Sequence, residues 1–409
     1  MHQRTARDAG TAVAATSGEE ILPFRIEVPQ ADLDDLQDRL RRVRWAPPAP
    51  DEVAPDEVAP DEQDGTASPG VRRYGVSTGR LRQLVERWRN GYDWRSWEAR
   101  LNSYPQFITG IDGQRVHFLH VRSQRPNAFP LILTHGWPGS VVEFLDVIDR
   151  LIEPDAGPAF DLVIPSLPGF GWSGPTTTGW GPRRIARAWA TLMQRLGYRR
   201  YGAAGNDWGS VIAPELGRVA PDAVLGVHVT QLFGSPPGYL PYAAGPEPDD
   251  LDDFDDDERR ALQGLHDWLR VGASYHHVQA EQPQTLAHAL ADSPVGLLGW
   301  NSQVMGGVDD DFLLTQVTLH WLTGTAGSAI RIYAEDAAEP SADGPTTVPL
   351  GLAQFRDDLH AIRRYAERDH ARIVSWHDYD TGGHYATHTD PELYSTDLRN
   401  FFAGLLTDR

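Results

Sequence analysis

The chain contains no cysteine, which excludes disulfides, thiolate zinc sites, iron–sulfur clusters and a cysteine nucleophile together. It contains no lysine either, so all 37 basic residues are arginine; a GC-rich genome accounts for this bias. No apolar run approaches the roughly 18–20 residues needed to cross a bilayer. The weak apolar stretch around residues 11–15 is too short for a secretory signal, so a cytoplasmic protein without a membrane anchor is expected. Positive charge is also scarce, with 57 acidic residues giving a formal net charge of −20. Such a chain repels nucleic-acid phosphates and anionic lipid, and neither a nucleic acid nor a membrane is expected as partner.

What is present supports a large core. Of 409 residues, 40% are hydrophobic and 23% charged, which fits one large domain with an appendage, or two domains. Residues 1–20 are small and polar and are expected to be flexible. Leu33, Leu36, Leu40 and Val43 then share a helical face, with Asp32, Asp34 and Asp35 where a helix N-terminus favours negative charge. An acidic, proline-punctuated loop over residues 46–70 follows and contains the tandem repeat Asp51-Glu52-Val53-Ala54-Pro55, Asp56-Glu57-Val58-Ala59-Pro60. A second helix is marked by Leu81, Leu84, Val85 and Trp88. Residues 21–103 thus form a helical N-terminal extension.

From residue 104 the pattern changes. Residues 115–122 alternate like a strand. Short apolar runs at 131–133, 162–164, 201–204 and 224–229 are separated by helical patterns at 141–151, 184–196 and 211–219. Strands alternating with helices predict an α/β fold, a mostly parallel central sheet flanked by helices. Residues 231–334 break the alternation and predict an inserted helical cap. It resumes over 335–409, with strands at 348–352 and 373–376 and a closing helix at 391–405. The core is therefore expected in two parts, 104–230 and 335–409.

Three motifs carry chemistry. Gly205-Asn206-Asp207-Trp208-Gly209 follows a short strand and opens a helix. It has the form of a nucleophile elbow with aspartate in place of serine, although an Asp capping a helix would look the same. His135-Gly136-Trp137-Pro138-Gly139 follows the 131–134 strand, where an oxyanion hole takes one of its N–H donors; the donors would be the amides of Trp137 and Trp208. Ser166-Leu167-Pro168-Gly169-Phe170-Gly171 follows the next strand in the order such a fold requires. Gly382-Gly383-His384 comes late in the chain, where a general base is needed. His384 and His388 also have metal-ligand spacing, but no carboxylate motif accompanies them and no metal is expected. An acid should follow the 348–352 strand. Asp357 and Asp358 both do, and spacing does not separate them.

Together these residues resemble the microsomal-type epoxide hydrolases of the α/β-hydrolase superfamily. The likeness runs from about Leu22 to Leu405. It includes Pro23-Phe24-Arg25-Ile26-Glu27-Val28, Ser103-Tyr104-Pro105-Gln106-Phe107, the two glycine motifs above, Asp292-Ser293-Pro294-Val295-Gly296-Leu297 and Thr323-Gly324-Thr325. The resemblance implies an α/β-hydrolase fold with an inserted cap and the family's N-terminal extension. It implies Asp207 as nucleophile, His384 as base and Asp358 as the acid orienting it. Tyr333 and Tyr275 of the cap would activate the epoxide oxygen. The implied reaction turns an apolar epoxide, an aryl one included, into a vicinal diol through a covalent ester, without cofactor. A haloalkane dehalogenase, which also places Trp after an Asp nucleophile, is the rival enzyme; an idle hydrolase fold that binds a small ligand is the rival non-enzyme. The resemblance is compatible with a biosynthetic or a detoxifying role and with a homodimer.

Overall fold

A computed structural model of the chain describes residues 18–50, 74–234, 253–340 and 344–407. The acidic repeat and residues 1–17 lie outside the described residues. Nine strands form one sheet: β1 (Leu22–Phe24), β2 (Gln106–Ile111), β3 (Gln114–Val121), β4 (Phe129–Thr134), β5 (Phe160–Pro165), β6 (Tyr201–Gly205), β7 (Val224–Val229), β8 (Leu350–Asp357) and β9 (Ile373–Gly383). Their order is β1-β2-β3-β5-β4-β6-β7-β8-β9. The first three strands and β5 pair antiparallel. From β5 to β9 every neighbour is parallel.

The parallel half explains the short apolar runs. Strands buried on both faces need no polar alternation, and every residue of β6 and β7 is buried. Two strands were not legible as separate signals: β1 has only three residues, and β2 carries Thr109 and Gly110 within its run. The helix expected over 141–151 is interrupted. Val141–Phe144 forms a single 3₁₀ turn, and an α-helix resumes only at Ile148–Ile152. Helices Pro182–Arg195, Trp208–Val219 and Pro391–Thr407 flank the sheet.

Between β7 and β8 the described chain is helical. It runs from Asp256–Asp267 through Ser274–Glu281, Pro283–Asp292, Pro294–Ser302 and Asp310–Leu322 to Ile332–Ala337. No helix among the described residues is long and apolar enough to cross a membrane. Two earlier helices, Gln30–Arg41 and Thr78–Asn90, pack against this insertion. Asp309 caps the helix Asp310–Leu322 through the Phe312 N–H. The next two residues pair outward, Asp310 with Arg80 at 2.5 Å and Asp311 with Arg87 at 2.7 Å. Arg39 reaches the Asp292 carbonyl at 2.9 Å. The extension thus braces the roof over the C-terminal ends of the parallel strands, the edge where open α/β sheets bind ligands.

Candidate active site

Five neighbouring strand ends, those of β4, β6, β7, β8 and β9, contribute side chains or amides to one place. Asp207 lies two residues past the end of β6 and has φ 52° and ψ −119°. A non-glycine residue in the left-handed half of φ space is uncommon and costs energy, so it persists only where its surroundings impose it. Here the strand must turn into a helix within two residues, Asn206 and Asp207. Gly209 permits the turn, because a Cβ there would lie 1.8 Å from the Thr134 carbonyl oxygen. Gly136 leaves room for the carboxylate itself, since a Cβ there would lie 2.1 Å from Asp207 Oδ1.

The Trp137 amide donates to Asp207 Oδ1 at 2.8 Å. His384, just past the end of β9, places Nε2 3.8 Å from Asp207 Oδ2 and Nδ1 3.3 Å from Asp358 Oδ1. The Asp207 and His384 side chains keep 17% and 24% exposure, so a small molecule can reach both, whereas Asp358 keeps 8%. Asp358 lies one step beyond β8, in a turn where its N–H bonds the Phe355 carbonyl and its Oδ1 takes the Leu359 N–H. Asp357, still in the strand, pairs with Arg356 at the surface. Geometry therefore brings Asp358, not Asp357, to the histidine.

Electrostatics follow from this packing. Burial holds the Asp207 carboxyl above its usual range, only partly opposed by the His384 charge and the Trp137 and Trp208 amides. Burial also opposes protonation of His384. The charge and hydrogen bond of Asp358, with the charges of Asp207 and Glu143, overcome it and carry the imidazole up to about 9.

The roof is aromatic. Tyr275 stacks on Trp137 with centroids 5.2 Å apart, and Tyr333 meets Trp208 edge-on at 4.8 Å. The two tyrosine rings lie 6.0 Å apart. Burial and the Asp207 charge push both phenols up, so both stay protonated at rest. His135 of the glycine loop is wholly buried, and burial holds it down to about 3. Its Nε2 accepts the Leu167 N–H at 3.1 Å, which ties the loop after β4 to the loop after β5. His388 bonds Asp146 and Asp309. Among the described residues no group of three or more His, Asp or Glu side chains is arranged to hold a metal ion.

Two residues at the site carry no motif. Gln231, after β7, is 1% exposed and touches Asp207, Asp358 and His384. Glu143, in the 3₁₀ turn, is buried with neither carboxylate oxygen bonded among the described residues. Burial pushes its carboxyl well above the usual range. A glutamate inside the apolar run Val141-Val142-Glu143-Phe144 was the available sequence signal for it.

Comparison with known proteins decides the family. The description "Epoxide hydrolase N terminus" fits residues 21–144, and "alpha/beta hydrolase fold" fits residues 130–287. A Stigmatella aurantiaca protein named "Putative epoxide hydrolase" is 39% identical over 94% of this chain and 85% of its own length. Epoxide hydrolase 1 of Sus scrofa is 30% identical over 97% of this chain and 91% of its own. The chain belongs to the microsomal-type epoxide hydrolases. Solved structures agree with this family. The epoxide hydrolase of Aspergillus niger matches with a TM-score of 0.78 at 29% identity, covering 97% of this chain and 99% of that one. The juvenile hormone epoxide hydrolase of Bombyx mori matches with 0.75 at 25% identity, covering 95% of each. The mostly parallel sheet expected from the alternation and the α/β-hydrolase fold implied by the resemblance are both observed, and this epoxide hydrolase converts an epoxide to a vicinal diol.

Proposed function

We propose that this epoxide hydrolase works in two covalent half-reactions. Asp207 is the nucleophile and His384 the base, with Asp358 orienting it. Tyr333 and Tyr275 are donors to the epoxide oxygen, and the Trp137 and Trp208 amides form the oxyanion hole. The observation that carries this reading is the line of Asp358, His384 and Asp207, with gaps of 3.3 and 3.8 Å.

In the first step an Asp207 oxygen attacks a ring carbon from behind. That carbon's bond to the ring oxygen breaks, and a tyrosine phenol protonates the oxygen. The product is an alkyl ester on Asp207 and a phenolate. Ester formation removes the Asp207 charge, one of those holding His384 at about 9. His384 then gives its proton back to the phenolate and becomes a free base, so the first step arms the second. In the second step His384 takes a proton from water and the hydroxide adds to the Asp207 carbonyl carbon. Two amides hold the oxyanion, each typically worth a few kcal/mol. The ester's carbonyl-carbon-to-oxygen bond breaks, water's other proton completes the diol, and the imidazolium–carboxylate pair returns.

The rings of Trp137, Tyr275, Tyr333 and Trp268 crowd one side of the site, which suits an apolar, aryl-bearing epoxide. The test is intact-protein mass after mixing with a turned-over epoxide. His384→Gln should accumulate one substrate per chain on the Asp207 peptide, and Asp207→Ala should not. If His384→Gln keeps its unmodified mass while the wild type makes diol, the ester reading fails.

A further inference from the structure

The N–H of Asp207 cannot join the sheet. The β4–β6 ladder ends at Thr134 and Gly205, and the elbow then turns away. A buried amide left without a partner costs about 1–3 kcal/mol. Its partner is a side chain: Gln231 Oε1 accepts the Asp207 N–H at 2.8 Å. The other end of the same amide is also engaged. Gln231 Nε2 donates to Asp358 Oδ2 at 2.6 Å and lies 3.0 Å from His384 Nδ1. His384 Nδ1 donates to the second oxygen of that carboxylate at 3.3 Å. With the Leu359 N–H on Oδ1, three donors converge on Asp358, and the glutamine's bond is shorter than the histidine's.

The amide's orientation is fixed by its neighbours. Flipping it would set NH₂ against the Asp207 N–H and oxygen against the Asp358 carboxylate, losing both bonds. Thr230 beside it acts in parallel. Its hydroxyl donates to Asn206 Oδ1 at 2.7 Å, and Asn206 Nδ2 holds the His384 carbonyl at 2.9 Å. Two consecutive side chains after β7 thus bind the elbow, the histidine loop and the acid into one unit.

We infer that Gln231 is a positioning residue of the hydrolytic half-reaction, holding the main chain of Asp207 and sharing the Asp358 carboxylate with His384. The inference rests on the roles given above to Asp358 and His384. By donating to Asp358, Gln231 takes up part of the negative charge that would otherwise fall on the imidazolium. His384 is faced by Asp358 and Asp207, by Glu143 from the 3₁₀ turn and by the Tyr385 ring at 4.9 Å. Of these, Gln231 bonds Asp358 and the main chain of Asp207.

The experiment is single-turnover kinetics on Gln231→Met, which keeps the length of the side chain but neither polar end. Alkylation and ester hydrolysis are followed separately from pH 5 to 10. Without the shared donor, Asp358 holds the imidazolium more strongly, so the rising limb of hydrolysis should move up by about one pH unit. Hydrolysis at pH 5, below the limb, should then fall about tenfold and recover toward the wild-type plateau at high pH. In the Asp358→Asn background the same substitution should move the limb little, because its target is gone. Gln231→Asn is one methylene too short to reach both partners. It is the second variant should Gln231→Met fold poorly, with the same direction expected. A loss equal at every pH, or one additive with Asp358→Asn, would overturn the inference. If Asp358→Asn alone leaves hydrolysis intact, the fault lies with the acid assignment instead.

Discussion

Replacing Asp207 with Asn removes a negative charge 3.8 Å from His384 Nε2 and leaves an oxygen for the Trp137 amide. Two unit charges about 4 Å apart interact by about 4 kcal/mol at an effective dielectric constant near 20. One pH unit corresponds to about 1.4 kcal/mol, so the imidazole should fall by roughly three pH units. The wild-type value is about 9, which would bring the variant near 6. The sign is fixed by the chemistry, since an anion favours the protonated ring and its removal lowers the ring's affinity for a proton. The assay is an NMR titration of the His384 ring proton, assigned by its loss in His384→Gln. The variant copies the charge state of the ester intermediate, so the same measurement asks whether His384 is free to accept a proton in the second step. A titration that stays near 9 in Asp207→Asn would refute the idea that alkylation arms the base.

Three further outcomes follow from the same geometry. Tyr333→Phe should slow alkylation by about 10²-fold, the usual scale for a lost acid catalyst, and keep its melting temperature because the ring contacts with Trp137 and Trp208 remain; Tyr275→Phe should act in the same direction, and unchanged alkylation in both would remove them from the mechanism. Asp358→Asn should chiefly slow ester hydrolysis, whereas Asp357→Asn should be mild because Asp357 is at the surface with Arg356; the reverse ranking in single-turnover assays would show that the wrong carboxylate was chosen. Gly136→Ala should cost at least about 10²-fold in kcat/KM, because its Cβ would stand where Asp207 Oδ1 stands; near-normal turnover would contradict the placement of that loop.

Periodicity carried the fold where burial was simple. Parallel strands buried on both faces give unbroken apolar runs, and β4 to β7 stand out for that reason. Where an element is too short or interrupted, the signal fails, as at β1 and the split helix after Ser140. The site was legible wherever backbone geometry demands particular residues. The tight elbow needs Gly205 and Gly209, and the carboxylate needs a bare Cα at Gly136. Adjacent residues on a strand end were not separable. Asp357 and Asp358 differ only in that one still pairs with Gly383 and the other has left the ladder. Gln231 was invisible because a lone glutamine after a strand has no motif. Its meaning depends on three partners, at positions 207, 358 and 384, brought to it only by the folded sheet.

The most direct test of the covalent account is a single turnover in ¹⁸O-labelled water with enzyme in excess over epoxide. Hydroxide is proposed to attack the Asp207 carbonyl carbon, so the bond that breaks is the one between that carbon and the ester oxygen. The diol then keeps the epoxide oxygen and one oxygen from Asp207, and water's oxygen stays in the protein. The account predicts unlabelled diol and a two-mass-unit gain on the peptide containing Asp207. Label in the diol with none on that peptide would mean that water attacks the epoxide directly, and would contradict the account.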